Sequence, residues 1–347
     1  MNFSEKEKTI INSIQKSVPL CEEPFTKLAS LHKTTNKEII DFLTYLKKEK
    51  CIRNIAGIFN NHTLGYHSSL VAFKILPEYL QSATELINSH PGVSHNYLRD
   101  HAFNLWFTLT VDSREVLRKT VEYFKEHTHA LDSLILESEK TYKIGVQLSM
   151  TEKKREIPKE NTTVSAASSI QNKVTNMAIT EEVKTVVRIL QEDLPLVENP
   201  FLKLCQKYNS FSEERLITLG KELLEQNILR RYAAIVGHRK IGYTYNAMVV
   251  WKPVNEAELS KAVHLAQAYT NISHIYKRTV YKDTWEYPLY TMIHATDQSD
   301  FNAIISSIYE NAKIEEYTIL PTLEEFKKKR TKLFSPHFDQ WYEEHEI

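Results

Sequence analysis

The chain repeats itself, and that restricts its possible folds more than any other feature. Residues 10–28 read IINSIQKSVPLCEEPFTKL, and residues 186–204 read VVRILQEDLPLVENPFLKL. Pro19, Pro24, Phe25, Lys27 and Leu28 return as Pro195, Pro200, Phe201, Lys203 and Leu204. Further on, IRNIAGIFNNHTLGYHSSLVAFK (52–74) aligns with LRRYAAIVGHRKIGYTYNAMVVW (229–251), and GVSHNYLRD (92–100) with NISHIYKRT (271–279). The second copy then carries a few extra residues before LYTMIHAT (289–296) meets WFTLTVD (106–112). A period of roughly 180 residues is too long for a solenoid; it implies duplication and fusion of a complete domain pair. The stretch 151–178 between the copies is rich in Lys, Glu, Ser, Thr and Asn and nearly free of large apolar residues. It reads as a flexible linker, with a surface helix over part of it as the alternative.

Each copy divides again. In the first, Ile10, Ile11, Ile14 and Val18 form one helical stripe, 24–31 a short second helix, and Ile39, Ile40, Phe42, Leu43 and Leu46 the stripe of a third, capped by Thr35 or Asn36. A strand hairpin of 52–60 and 66–75 is expected next, turning at Asn60-Asn61-His62 and Gly65. This is a winged helix-turn-helix plan. A β-α-β-β-α-β pattern follows: strand 66–75, helix 77–88, strands 92–99 and 103–111, helix 113–126 and strand 132–147, the plan of a ferredoxin-like domain. The expected class is α+β, a tandem repeat of winged helix plus ferredoxin-like domain forming a pseudo-dimer. The expected divisions are 1–52 and 53–150 for the first copy, 151–178 for the linker, and 179–229 and 230–347 for the second copy.

Composition narrows the function classes. The 44 Lys and Arg balance the 44 Asp and Glu, so no net charge draws the chain to nucleic acid or to an anionic membrane. An anionic ligand must be caught by a local cluster. Cys21, Cys51 and Cys205 are far apart and form no metal pattern. With no signal-like N-terminus and no apolar run of spanning length, a cytoplasmic protein with free thiols is expected.

A helix-turn-helix followed by a ferredoxin-like domain, with Gly entering the strand in LGYHSSLVAF, resembles the Lrp/AsnC regulators. A narrower resemblance is to the siroheme decarboxylases in a fused two-subunit form. VSHNYLRDHAFNLWFTL (93–109) is similar to their first subunit. RRYAAIVGHRKIGYTYNAMVVW (230–251), ISHIYKRTVYKDTWEYPLYTMIHA (272–295) and PTLEEFKKKRTKLF (321–334) are similar to the second. The sequence departs from that pattern at Thr279, where Pro is expected, and in DTWEYP (283–288). The resemblance implies a siroheme substrate, loss of carbon dioxide from two ring acetates to give didecarboxysiroheme in heme biosynthesis, no added cofactor, and iron carried only by the substrate.

Two other classes compete: a tetrapyrrole-responsive regulator without catalysis, and an ordinary DNA-binding regulator. The helix that would enter the major groove decides against the last. TNKEIIDFLTYLKKEK has four Lys against three acids, but SEERLITLGKELLEQ has four Glu against one Arg and one Lys. Phosphate contacts need Lys or Arg, so nucleic acid is not an expected partner. Nor is a membrane. The two halves are expected to pair with each other, and further oligomerisation is open.

Carboxylates on a tetrapyrrole call for guanidinium forks. Arg99, Arg230, Arg231, Arg239 and Arg278, with Lys240, are the candidates. On a strand, His95, Tyr97 and Arg99 share one face, as do His274, Tyr276 and Arg278. A duplicated His-x-Tyr-x-Arg row is more than a pair of surface ion-pairing arginines would leave in sequence. His238 and Arg239 sit at an expected hairpin tip, and Tyr243 and Asn246 on the strand after it. Those four are substrate contacts or ordinary turn and ladder residues. Tyr281 is a further candidate in the second copy, which also carries Tyr287, Tyr290 and His294 where the first has His101 and Asn104-Leu105-Trp106. Trp106 and Trp251 read as core, and KKKR (327–330) as a solvated helix face. Loss of carbon dioxide leaves electron density that a general acid must quench, and His suits that near neutral pH. His95, His101 and His274 are the candidate proton donors. No metal site is expected. The unlike copies suggest one main site between the halves.

Overall fold

The computed structural model describes residues 3–144, 177–208, 211–237 and 245–347; the linker expected at 151–178 lies almost wholly outside them. The chain forms two compact units, and each draws on both copies of the repeat.

The first unit contains the helices. In copy one they are α1 (Glu5–Lys16), α2 (Pro24–Leu31) and α3 (Asn36–Lys48), followed by strand β1 (Ile52–Phe59). Ser4 with Glu7, and Thr35 with Glu38, form capping boxes that satisfy the first amides of α1 and α3. Ile10, Ile11, Ile14, Ile39, Leu43 and Leu46 are buried, as the stripes require. The other copy's helices precede β6 (Leu229–Val236), which pairs antiparallel with β1 about Ala56 and Ala233. The amide of Val18 donates to Tyr232 O at 2.7 Å and that of Leu194 to Ile55 O at 2.8 Å. Each copy thus caps the other's strand.

This pairing corrects the hairpin expectation. β1 does not pair with the strand that follows it. A short 3₁₀ turn at His62–Leu64 and Gly65, at φ +86°, redirect the chain, and the ladder of β1 is filled by its counterpart β6. The compact units divide after Leu64 rather than at 52/53, so β1 and β6 belong with the helices.

The second unit holds both ferredoxin-like domains. In copy one, β2 (His67–Lys74), α4 (Leu80–Ser89), β3 (Val93–Arg99), β4 (Leu105–Val111), α5 (Arg114–His127) and β5 (Asp132–Ile144) give strand order β3-β4-β2-β5. In copy two, β7 (Tyr245–Lys252), α9 (Glu256–Ala268), β8 (Ile272–Arg278), β9 (Leu289–Ala295), α10 (Gln298–Ala312) and β10 (Glu316–Lys328) give β8-β9-β7-β10; α6 to α8 (Glu181–Leu190, Pro200–Cys205, Glu213–Glu225) are the second copy's helices in the first unit. β5 pairs with β2 through Glu137 and then with β8 from Ser138. β10 likewise pairs with β7 through Pro321 and then with β3 from Thr322. These two long strands close the two sheets into one eight-stranded antiparallel barrel, so the halves pair intramolecularly.

Alternation along the strands places one residue set under the helices and the next inside the barrel. Val71, Phe73, Leu105, Phe107 and Leu109 pack with helix residues Ile87, Leu117, Val121 and Phe124. Val249, Trp251, Leu289 and Ile293 do the same in copy two. The inner set, Ala72, Trp106, Leu134, Leu136, Met248, Val250, Trp285, Tyr290 and Leu320, comes from both copies. The run 327–330 was expected on a helix face. β10 instead reaches Lys328 before the chain enters α11 (His337–His345), because the ladder with β3 continues to His95. No helix among the described residues is long and apolar enough to cross a membrane.

Candidate active site

The duplicated rows lie on β3 and β8 and face inward. Tyr97 stands opposite Trp106 and His95 opposite Thr108; Tyr276 stands opposite Tyr290 and His274 opposite Met292. The rings of His95 and Tyr97 are 6.0 Å apart, and those of His274 and Tyr276 are also 6.0 Å apart. The Arg99 guanidinium lies 5.3 Å from the Tyr97 ring, and that of Arg278 4.5 Å from Tyr276. A ladder irregularity between Val93 and His95, repeated between Ile272 and His274, tilts a serine out of register beside each histidine.

Both arginines reach the point where a long strand changes partners. Arg99 Nη1 donates to Leu320 O at 2.7 Å and to Thr322 Oγ1 at 3.2 Å; Arg278 Nη1 donates to Leu136 O at 2.7 Å. The Nε of each is shielded from solvent and has no hydrogen-bond partner, and among the described residues neither guanidinium makes an ion pair with a carboxylate. Burial pulls the Arg99 pKa down to about 10, with Tyr97 opposing, and lowers that of Arg278 too. A buried cation without a counterion is costly, and an entering anion would relieve that cost.

The histidines sit in unlike surroundings. Ser94 Oγ lies 3.0 Å from His95 Nδ1. Ser273 Oγ lies 2.7 Å from His274 Nδ1 and 2.7 Å from Nε2 of the buried His294, whose Nδ1 bonds Asn246 Oδ1. Asn246 is therefore tied to a histidine, where the sequence suggested substrate or ladder contacts. His101 is off the rows, in the turn after β3. Its Nδ1 accepts from the Phe103 amide at 3.0 Å, its ring meets Trp285 edge-on at 5.3 Å, and burial lowers its pKa. The Tyr281 hydroxyl donates to Ile135 O at 3.0 Å and accepts from Ile135 N at 3.2 Å. That pins the long β8–β9 loop to β5, and a structural task already occupies both functions of the hydroxyl.

Arg230 and Arg231 lie on β6 in the first unit, and Arg230 Nη2 donates to Asn60 Oδ1 at 3.1 Å; they are not in the barrel. His238, Arg239, Lys240 and Tyr243 lie outside the described residues. No group of His, Cys, Asp and Glu suited to a metal ion occurs among the described residues.

Two family models match both copies. The AsnC-like ligand binding domain covers 63–143 and 240–327, and the siroheme decarboxylase NirDL-like HTH domain covers 7–53 and 184–230. The chain is 36% identical to a siroheme decarboxylase of Hydrogenobacter thermophilus over 96% of this chain and 97% of that one. It belongs to the siroheme decarboxylase family. A siroheme decarboxylase alpha subunit of Oleidesulfovibrio alaskensis is 35% identical over 42% of this chain and 88% of its own length, so about half of the fused chain corresponds to one separate subunit. The crystal structure of siroheme decarboxylase NirDL in complex with an iron-uroporphyrin III analogue matches with a TM-score of 0.75 at 31% identity, covering 98% of each chain.

Several inward residues of this siroheme decarboxylase family member escaped sequence reasoning. β10 sets Glu325 opposite Tyr97 and Lys328 opposite His95, and Lys328 Nζ lies 3.2 Å from Glu325. At the matching places beside the second row β5 sets Thr141 and Ile144. One row is thus flanked by charge and the other is not. Lys327 and Lys143, equivalent on β10 and β5, point the other way and donate to carbonyls near the ends of α4 and α9; burial lowers both to about 8. None of these contacts is readable without knowing which strands cross between copies. The serines were readable, since Ser-His recurs at 94–95 and 273–274 in the aligned repeat.

Proposed function

We propose that this chain decarboxylates siroheme at two ring acetates, giving didecarboxysiroheme, with no cofactor beyond the substrate's own iron. The observation that carries the reading is the pair of guanidiniums, each with a shielded, unbonded Nε and no carboxylate partner among the described residues and each in one row with a tyrosine and a histidine, in a chain related along nearly its whole length to a siroheme decarboxylase.

Arg99 and Arg278 receive substrate carboxylates through the donors left open beside their carbonyl bonds. Each charge-assisted bond is worth about 1.5–3 kcal/mol. Tyr97 and Tyr276 present ring faces to the guanidiniums and hold them in place. In each reaction the bond from the acetate methylene to its carboxylate carbon breaks, carbon dioxide leaves, and the electron pair stays on the methylene carbon, delocalised into the macrocycle. A histidine N–H, from His95 or His274, then delivers a proton to that carbon and a methyl group results. The histidine regains its proton from water, so one proton is consumed per carbon dioxide released and no electrons are exchanged. Apolar inner residues such as Leu134, Leu136, Val250 and Leu320 favour dispersal of the carboxylate charge. The test is anaerobic incubation of the purified chain with siroheme, followed by mass analysis. Loss of two carbon dioxide units is expected; siroheme recovered unchanged from a folded chain that binds it identifies a binding protein instead.

A further inference from the structure

Each row has a serine beside its histidine, and in the second row a chain of side chains leads on from that serine. His274 Nδ1, Ser273 Oγ, His294 Nε2, His294 Nδ1 and Asn246 Oδ1 are joined in sequence. Ser273 is 1% and His294 2% exposed, so this is a buried polar network of the kind that is costly unless every member is satisfied. Copy one has Thr110 at the position of His294 and Ser68 at that of Asn246, and those two bond each other at 2.5 Å.

We propose, on the reading of the site given above, that His294 and Ser273 are positioning residues that fix the tautomer of His274, through a His-Ser-His chain that copy one, with Thr110 in place of His294, does not have. The direction of each bond follows from the terminal amide. Asn246 Oδ1 can only accept, so His294 carries its proton on Nδ1. Neutral His294 then accepts at Nε2 from the Ser273 hydroxyl, and the serine oxygen accepts from His274 Nδ1–H. Nε2 is the atom through which His274 exchanges a proton with the substrate. With Nδ1–H held by the serine oxygen, the imidazolium form of His274 carries its transferable proton on Nε2, and once that proton has passed to the substrate carbon Nε2 regains one from water. The two rows therefore hold their histidines differently: His274 is oriented by the Ser273–His294–Asn246 chain, and copy one has no second histidine at that place.

Two measurements on the full chain test this. Nitrogen-15 NMR of the histidine-labelled protein, at a pH where both rings are neutral, is expected to show protons on Nδ1 of both His274 and His294. A proton on Nε2 of His274 overturns the proposal, whatever the enzyme does with siroheme. The second measurement is the time course with siroheme for His294→Gln, Ser273→Ala and Ser273→Thr. In the first two, kcat for one of the two decarboxylations is expected to fall about 100-fold, the scale of a misplaced catalytic group, with KM unchanged and monodecarboxylated product accumulating. Ser273→Thr, which keeps the hydroxyl, is expected to restore the rate. Wild-type kcat for both steps in folded His294→Gln overturns the positioning role. A wild-type chain with the expected tautomers that leaves siroheme intact defeats the reading of the site while the assigned bond directions stand.

Discussion

Arg99 and Arg278 each combine a structural and a ligand-binding task in one guanidinium. Nη1 satisfies the carbonyl of Leu320 or Leu136 where a strand passes from one sheet to the other, and the unpartnered Nε remains for an incoming carboxylate. Arg278→Ala is expected to weaken siroheme binding by about 1.5–3 kcal/mol, the scale of a charge-assisted hydrogen bond. It also leaves the Leu136 carbonyl without its donor, a further loss of about 1–3 kcal/mol of stability. Lys in its place should rescue only in part, because an ammonium cannot reach a backbone carbonyl and a carboxylate in the same planar geometry. Calorimetric titration with siroheme and thermal unfolding separate the two effects. Binding that is unchanged in both Arg99→Ala and Arg278→Ala would leave these arginines a purely structural role.

Among the elements, α11 shows how the tail is attached. The His90 ring is fully buried, 4.3 Å from Trp341 and close to Phe338 and Tyr342, and its Nδ1 accepts from the Gly92 amide. Burial, with help from Lys327 and His345, lowers its pKa from 6.5 to about 3. Between those values the folded form binds fewer protons than the unfolded form, so the contribution of His90 is fully present above pH 6.5 and is lost as pH falls toward 3. Proteolysis of 337–347 is expected to speed up across that window, and His90→Phe is expected to flatten the dependence. A tail equally protected at pH 7 and pH 4 contradicts this. The elements also show what sequence can reveal. The helix stripes, the βαββαβ order and the inward His-x-Tyr-x-Arg rows were legible, because each depends on local periodicity and the repeat displays it twice. The pairing of β1 with β6, and the partner changes of β5 and β10, were not. Nothing in IRNIAGIF or PTLEEFKK names a strand nearly 180 or more than 220 residues away, and a near hairpin is the default for two strands joined by a short turn. Misplacing β10 hid Glu325 and Lys328 from the candidate site. Asn246 and Tyr281 were found for their polarity, but their partners proved to be His294 and the Ile135 backbone.

For the whole molecule, duplication followed by divergence has produced two rows on one closed barrel with unlike neighbours: Glu325 and Lys328 by the first, Thr141, Ile144 and the Ser273–His294 chain by the second. The helix-turn-helix pair has diverged too. α8 carries Glu213, Glu214, Glu222 and Glu225, and Arg215 on it is held by Glu182 at 2.8 Å. No specific duplex DNA binding is expected at physiological salt; an operator site with a normal salt slope in a gel-shift titration would overturn this. The most direct test of the account is the anaerobic time course of mono- and didecarboxylated siroheme for His95→Ala and His274→Ala beside the wild type. A positioned acid contributes about 100- to 10,000-fold. Each variant is predicted to bind siroheme normally and to lose that much rate, with monodecarboxylated product accumulating if each histidine serves its own acetate. Near-wild-type rates of both steps in both variants would contradict the assignment of the proton donors to these rows.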